Sequence, residues 1–280
     1  MKNTSKISYD ALKAPGLKEI LGQVSATCKA IEIDFFMVGA VARNVWFASH
    51  EEFPRGTKDI DFAVYIPDIS KYNHLRERLL TDYGYRDSTE NAYCLLSPNG
   101  NQVDLLPFGE IEAEGQVMIQ GKGLVSINLD GFKEVYQQGL EKIRLGEELY
   151  AVCNIPSIII LKLIAFDDRP EHRVKDVKDI AGIVRVYPYL EEEHIWSRHF
   201  DLYDNDRSHE DVAMIGLGRE IQHIAGENVK LHTRLISVLS RGITGESRLA
   251  DHMVLDSDKE SVEQKRRVLK NLLTGLNSEG

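Results

Sequence analysis

The chain has 280 residues, 42% of them hydrophobic and 28% charged, with a formal net charge of −10. This balance suits a globular protein of one large domain or two modest ones. The acidic excess, spread over both halves, disfavours a non-specific nucleic-acid coat protein, and no apolar run reaches the roughly 18–20 residues of a membrane span.

The N-terminal stretch "MKNTSKISYDALKAPG" contains no apolar core of a secretion signal. Three cysteines, Cys28, Cys94 and Cys153, are odd in number and widely spaced. They read as small core residues in a reducing, cytoplasmic setting.

In chain order, residues 16–32 place Leu17, Ile20, Leu21, Val24, Cys28 and Ile31 at helical spacing. "DFFMVGA" (34–40) reads as a short strand stopping at Gly39, with a helix over 41–50. After the loop "EEFPRGTK" comes the strand "DIDFAVYI", then a helix over 70–84 closed by Gly84. "NAYCLLSPNGNQVDLLPFG" (91–109) reads as two strands joined at Pro98-Asn99-Gly100. Further strands are expected at 116–120, 124–129 and, as a pair, 142–153, with a short helix over 130–139. From residue 155 the character becomes helical, with Pro156 suited to a first turn. The expected division is therefore 1–154, an α/β domain with a mixed sheet, and 155–280, a mainly helical domain, with the active site in the groove between them. Beyond about 245, "TGESRLADHMVLDSDKESVEQ" offers few anchors and reads as a fraying segment before a last helix near 260–274.

The chemistry concentrates in "TKDIDFAVYIP" (57–67). Strand residues i and i+2 share a face, roughly 6.5–7 Å apart. Asp59 and Asp61 therefore stand together opposite Ile60, Phe62 and Val64, and burying such charges is costly without a compensating cation. Hard oxygen donors suit Mg²⁺ or Mn²⁺. A solvated edge strand is the alternative reading. "VDLLPFG" (103–109) supplies Asp104 on another apolar strand, a third carboxylate for a phosphoryl-transfer site. At Gly39, the missing side chain and the following helix N-terminus make an anion site for phosphate oxygens.

"VGA" (38–40), "DIDF" (59–62) and "VDLL" (103–106), in that order, resemble the hG[GS], Dh[DE]h and h[DE]h motifs of the DNA polymerase beta-like nucleotidyltransferase superfamily. "LKLIAFDDRPEHRVKDVKDIAGIV" (161–184) looks like the third motif of AbiEii-type nucleotidyltransferases, and the likeness runs from about residue 15 to about 240. The resemblance implies a nucleotidyltransferase fold and an enzyme that moves a nucleoside monophosphate from an NTP to an acceptor hydroxyl, with Asp59, Asp61, Asp104 and Lys162 catalytic. Lys162 is then expected at the triphosphate oxygens or the departing pyrophosphate, with Asp176 or Asp179 orienting it or closing the nucleotide pocket. Ala40, Arg43, Lys58 and Arg169, along with Arg55 and Arg173, are further candidates for the nucleotide. Ala40 departs from the family's Gly or Ser and offers no hydroxyl. By the same resemblance the acceptor is tRNA or a protein, and such a protein acts as a toxin paired with an antitoxin protein or in phage defence. A non-catalytic nucleotide-binding regulator and an antibiotic-modifying nucleotidyltransferase are the alternatives.

Two patterns are set aside. "GLGRE" (216–220) lacks the third glycine and the strand of a dinucleotide site. His194 and His199 are five apart, out of register for one helix face, and with His172 and His209 they read as solvated, leaving zinc without a case.

Overall fold

The structure is a computed structural model that describes residues 7–49, 55–112, 116–123, 125–204, 206–255 and 261–278. It divides into two compact units, Met1–Lys133 with Leu140–Asn154, and Glu134–Gly139 with Ile155–Gly280. None of its described helices is long and apolar enough to cross a membrane.

The first unit begins with α1 (Leu17–Ala30), β1 (Phe35–Met37), α2 (Gly39–Ser49), β2 (Asp59–Tyr65) and α3 (Ile69–Tyr83). β3 (Arg86–Asp87), β4 (Cys94–Leu96), β5 (Gln102–Phe108), β6 (Gln116–Met118) and β7 (Ser126–Asn128) follow. The chain passes through the short α4 (Phe132–Gln138), most of which belongs to the second unit, before β8 (Leu140–Leu145) and β9 (Glu148–Cys153) of the first. Seven strands form one mixed sheet in the order β3-β4-β5-β2-β1-β9-β8, while β6 and β7 form a separate ribbon. The α/β expectation with a mixed sheet therefore holds.

β2 lies at the centre of that sheet, antiparallel to β1 and parallel to β5, so the edge-strand alternative falls. Its alternating sequence has a direct structural result. Ile60, Phe62 and Val64 are all but sealed, at 1% exposure or less. Asp59 is exposed and Asp61 half-buried on the other face. The turn at Pro98-Asn99-Gly100 joins β4 to β5 as an antiparallel pair. The Tyr72 hydroxyl on α3 donates to the Leu105 carbonyl at 2.8 Å, fastening that helix to the sheet. Gly84 closes α3 in the left-handed conformation that glycine adopts without a steric penalty.

The second unit is helical: α5 (Ile155–Asp168), α6 (Val174–Leu190), α7 (Glu192–Arg198), α8 (His209–Ala225), α9 (Val229–Thr244), α10 (Leu249–His252) and α11 (Val262–Leu276). α5 is apolar nearly all round, with ten of its side chains buried, as expected of a central helix. Ser261 and Gln264 close the start of α11 with a reciprocal capping box. The segment after residue 245 corrects the expectation of fraying. Leu249, Ala250 and Met253 are at most 1% exposed, so these three apolar side chains anchor α10. Residues 256–260 lie outside the described residues.

α8 and α11 meet along a seam of glycines. A Cβ at Gly275 would lie 1.9 Å from the Ile215 carbonyl oxygen, and one at Gly218 would lie 2.2 Å from that of Leu272. Both obstacles are backbone and cannot swing aside. Gly275→Ala is therefore expected to lower stability by about 1–3 kcal/mol, the usual cost of overpacking. A lowered urea midpoint with an unchanged m-value checks it; an unchanged midpoint refutes the close approach.

Candidate active site

The parallel pairing of β2 with β5 sets Asp61 opposite Asp104 and Asp59 opposite Gln102. Paired residues of neighbouring strands project to the same face, so Asp59, Asp61 and Asp104 share one. The strands stand about 4.8 Å apart, close enough for one cation to meet carboxylates from both.

β1 delivers the fourth component. It runs antiparallel to β2 with Met37 opposite Phe62, and the Val38 N–H donates to the Asp61 carbonyl at 3.1 Å. The chain then turns into α2 at Gly39, whose φ is +63°. A Cβ there would stand 2.1 Å from Asp61 Oδ2. Only glycine leaves room for the helix start to press against this carboxylate. The first in-helix hydrogen bond runs from the Ala42 N–H to the Val38 carbonyl at 3.3 Å. Gly39, Ala40 and Val41 therefore supply amides at the positive end of the helix dipole. An array of oxygen donors beside an array of N–H donors suits a cation that carries a polyanion.

The donor set fits Mg²⁺ or Mn²⁺. It is all oxygen and drawn from two strands. Like charges this close repel, and a divalent cation offsets that repulsion. Gly39→Ala is expected to cost at least about 1–2 kcal/mol from its left-handed backbone alone. It should also displace the Asp61 carboxylate and weaken cation binding. Urea unfolding and Mg²⁺-dependent melting read the two effects separately; an alanine variant with normal Mg²⁺ response contradicts the close packing.

Sequence reasoning passed over Cys94 as plain core, yet it pairs in register with Asp104. Burial, and then the Asp104 carboxylate, push the Cys94 thiol up to about 12. The thiol stays protonated and presents a weak donor to that carboxylate. Only the register of β4 on β5 reveals this neighbour.

The basic candidates in the first unit part company. Lys58 and Arg55 are exposed in the approach to β2. Arg43 is instead 4% exposed, its Nη2 donating to Asn44 Oδ1 at 2.8 Å. The Asn44 side-chain amide in turn donates to the Leu12 and Arg55 carbonyls at 2.8 and 2.9 Å. Arg43 and Asn44 thus form part of a buried polar knot that ties α2 to the loop before β2.

Lys162, Asp176 and Asp179 come together in the second unit. The Lys162 ammonium, on α5, donates to Asp176 Oδ1 at 2.6 Å and to Asp179 Oδ2 at 2.9 Å, both on α6. Arg173 Nη1 adds a second cation 3.4 Å from Asp176 Oδ2. Burial works against the charge on Lys162, but the two carboxylates outweigh it and its pKa is raised. Arg169 stands in the turn after α5, half-buried.

The histidines correct the sequence reading. His172 is exposed as expected, but His199 is 4% exposed and His194 half-buried, both against Glu220. His209 is half-buried, with its Nδ1 2.6 Å from the Tyr203 hydroxyl and its Nε2 2.9 Å from the Pro188 carbonyl oxygen. The i, i+5 spacing misled because α7 ends at Arg198, before His199.

No family model and no curated protein matches the sequence. Among solved structures, the chain is similar to that of an antigenic nucleotidyltransferase-like protein from Paracoccidioides brasiliensis. Identity is 15%, with 82% of this chain and 94% of that one covered, at a TM-score of 0.39. It is also similar to the solution structure of the antibiotic-resistance factor ANT(2'')-Ia. There identity is 12%, with 75% and 89% covered, at a TM-score of 0.38. Likenesses this distant carry no weight of their own, and the functional reading stands on the residues of this chain.

Proposed function

We propose that the first unit is a nucleotidyltransferase of the AbiEii type, within the DNA polymerase beta-like superfamily. It transfers a nucleoside monophosphate from an NTP to an acceptor hydroxyl and releases pyrophosphate. The observation that carries this reading is the register of Asp61 beside Asp104, with Asp59 on the same face and Gly39 pressed against Asp61.

Each residue has a task in that chemistry. Asp59, Asp61 and Asp104 would hold Mg²⁺ or Mn²⁺, which when bound neutralises charge on the phosphate oxygens. The amides of Gly39 and Ala40 bind phosphate oxygens at the start of α2. Asp104 accepts the proton of the acceptor hydroxyl. The freed oxygen attacks the α-phosphorus as the bond from that phosphorus to the pyrophosphate oxygen breaks, and pyrophosphate leaves with that electron pair. Ala40 provides a backbone donor alone, so phosphate binding there is looser than a serine hydroxyl would give.

The acceptor is taken as tRNA or a protein, and the biological role as a cytoplasmic toxin controlled by an antitoxin protein or a phage-defence factor; the third-motif block supports this choice. Incubating the protein and Mg²⁺ with each of four labelled NTPs, and with separated RNA and protein fractions, tests the reading. Label in one fraction, lost without the divalent cation, is the expected result. Tight Mg²⁺–NTP binding with no labelled acceptor favours a regulator, the reading that Ala40 supports.

A further inference from the structure

The second unit holds a cluster of ligand-type side chains that the proposed transfer does not use. α7 stops at Arg198, and His199 leaves the helix with φ −125° and ψ 26°. That break brings its ring beside His194, with centroids 6.1 Å apart and planes at 81°. Glu220 enters from α8. Its Oε1 lies 3.3 Å from Nε2 of His194 and 3.3 Å from Nε2 of His199. The ligand atoms of the three residues all lie within 4.8 Å of one another.

Two further observations support a ligand. His199 is 4% exposed, yet neither of its ring nitrogens has a well-formed hydrogen bond among the described residues. Buried polar atoms are seldom left so. Gly216, one turn before Glu220, makes room for this ring, since a Cβ there would lie 2.5 Å from His199 Cδ2.

The separations suit a metal. Ligands at about 2.0–2.1 Å from a tetrahedral zinc ion stand roughly 3.3–3.4 Å from one another, and both N···O distances here are 3.3 Å. Two imidazoles with one carboxylate suit zinc, whereas magnesium and calcium prefer oxygen alone. We propose that His194, His199 and Glu220 form a Zn²⁺ site that joins α7 to α8, with a fourth position taken by water. Zinc bonded to Nε2 of His199 gives that buried nitrogen a well-directed bond in place of its poorly aligned contact with Glu220. The partial exposure of the His194 and Glu220 side chains, 25% and 20%, gives the ion a way in.

The test uses the full chain, stripped with a chelator and titrated with Zn²⁺ against a chromogenic competitor. The expected result is one tightly bound zinc per chain and a melting temperature raised by roughly 5 °C or more at saturating metal. Co²⁺ in the same site should show the intense visible bands of tetrahedral coordination. His194→Ala should weaken zinc binding by more than the about 10–100-fold that losing a mere outer-shell partner costs. His194→Cys, which restores a zinc ligand, should recover it. Glu220→Gln should lose binding too, with circular dichroism reporting whether it folds. Zinc held equally by wild type and His194→Ala overturns the proposal, as does the absence of stoichiometric zinc from the wild type.

Discussion

Asp61→Asn is expected to cut nucleotidyl transfer severely while leaving the protein folded. Asp61 sits at the crossing of every component: it follows Asp59 on β2, pairs with Asp104 on β5 and touches the start of α2 at Gly39. Asparagine keeps the shape and removes the charge, so the cation loses one of its anionic ligands. Several kcal/mol of transition-state stabilisation ride on such an ion, which corresponds to about a 10²–10⁴-fold fall in kcat/KM. Because Asp61 is half-buried, the change should leave circular dichroism unaltered.

A second readout does not depend on knowing the acceptor. Ligand that binds only the native state raises stability with its concentration. Mg²⁺ with NTP should raise the melting temperature of the wild type and leave that of Asp61→Asn almost unmoved. If the variant responds to Mg²⁺ as the wild type does, the three carboxylates are not a metal site. If it loses the Mg²⁺ response but still labels an acceptor, the chemistry lies elsewhere.

The carboxylate pair at 59 and 61 was legible because the side-chain period of a strand is two, and because Ile60, Phe62 and Val64 define the opposite face without ambiguity. The hairpin before Asp104 was legible from Pro98-Asn99-Gly100. What no local pattern states is that β5 lies parallel to β2 in the register that sets residue 104 beside residue 61. That pairing joins segments some forty residues apart and depends on the whole sheet. Lys162 shows the same division. A lysine in an apolar helix must reach solvent or meet an anion, and the resemblance left Asp176 and Asp179 as alternatives; the structure places both on its ammonium.

Other features were misread for identifiable reasons. His194 and His199 are out of register only on a helix that runs through both, whereas the helix ends at residue 198. Gly216 and Glu220 belong to the "GLGRE" segment rejected as a nucleotide loop. Their use is to seat and meet His199, which neither spacing nor composition discloses. Leu249 and Met253 were passed over because two apolar residues among charges carry little periodic signal, although both are fully buried.

Lys162→Met should be the most damaging single change in the second unit. Lys162 and Asp179 are each 6% exposed, and this one ammonium donates to both carboxylates. Methionine fills the volume but removes that ammonium from a buried charge, which costs about 3–5 kcal/mol. That is a large share of the roughly 5–15 kcal/mol by which domains are stable. Lys162→Met combined with Asp179→Leu should regain most of the loss, because the buried charge goes with the partner. Urea midpoints for the four proteins of this cycle decide the matter. Additive losses, or a single variant within about 0.5 kcal/mol of wild type, remove the ion cluster as the lock between α5 and α6. The same variant weighs the role that the resemblance implies for this residue. Loss of NTP affinity in folded Lys162→Met protein assigns the ammonium to the triphosphate, and undiminished affinity assigns it to the helix pair alone.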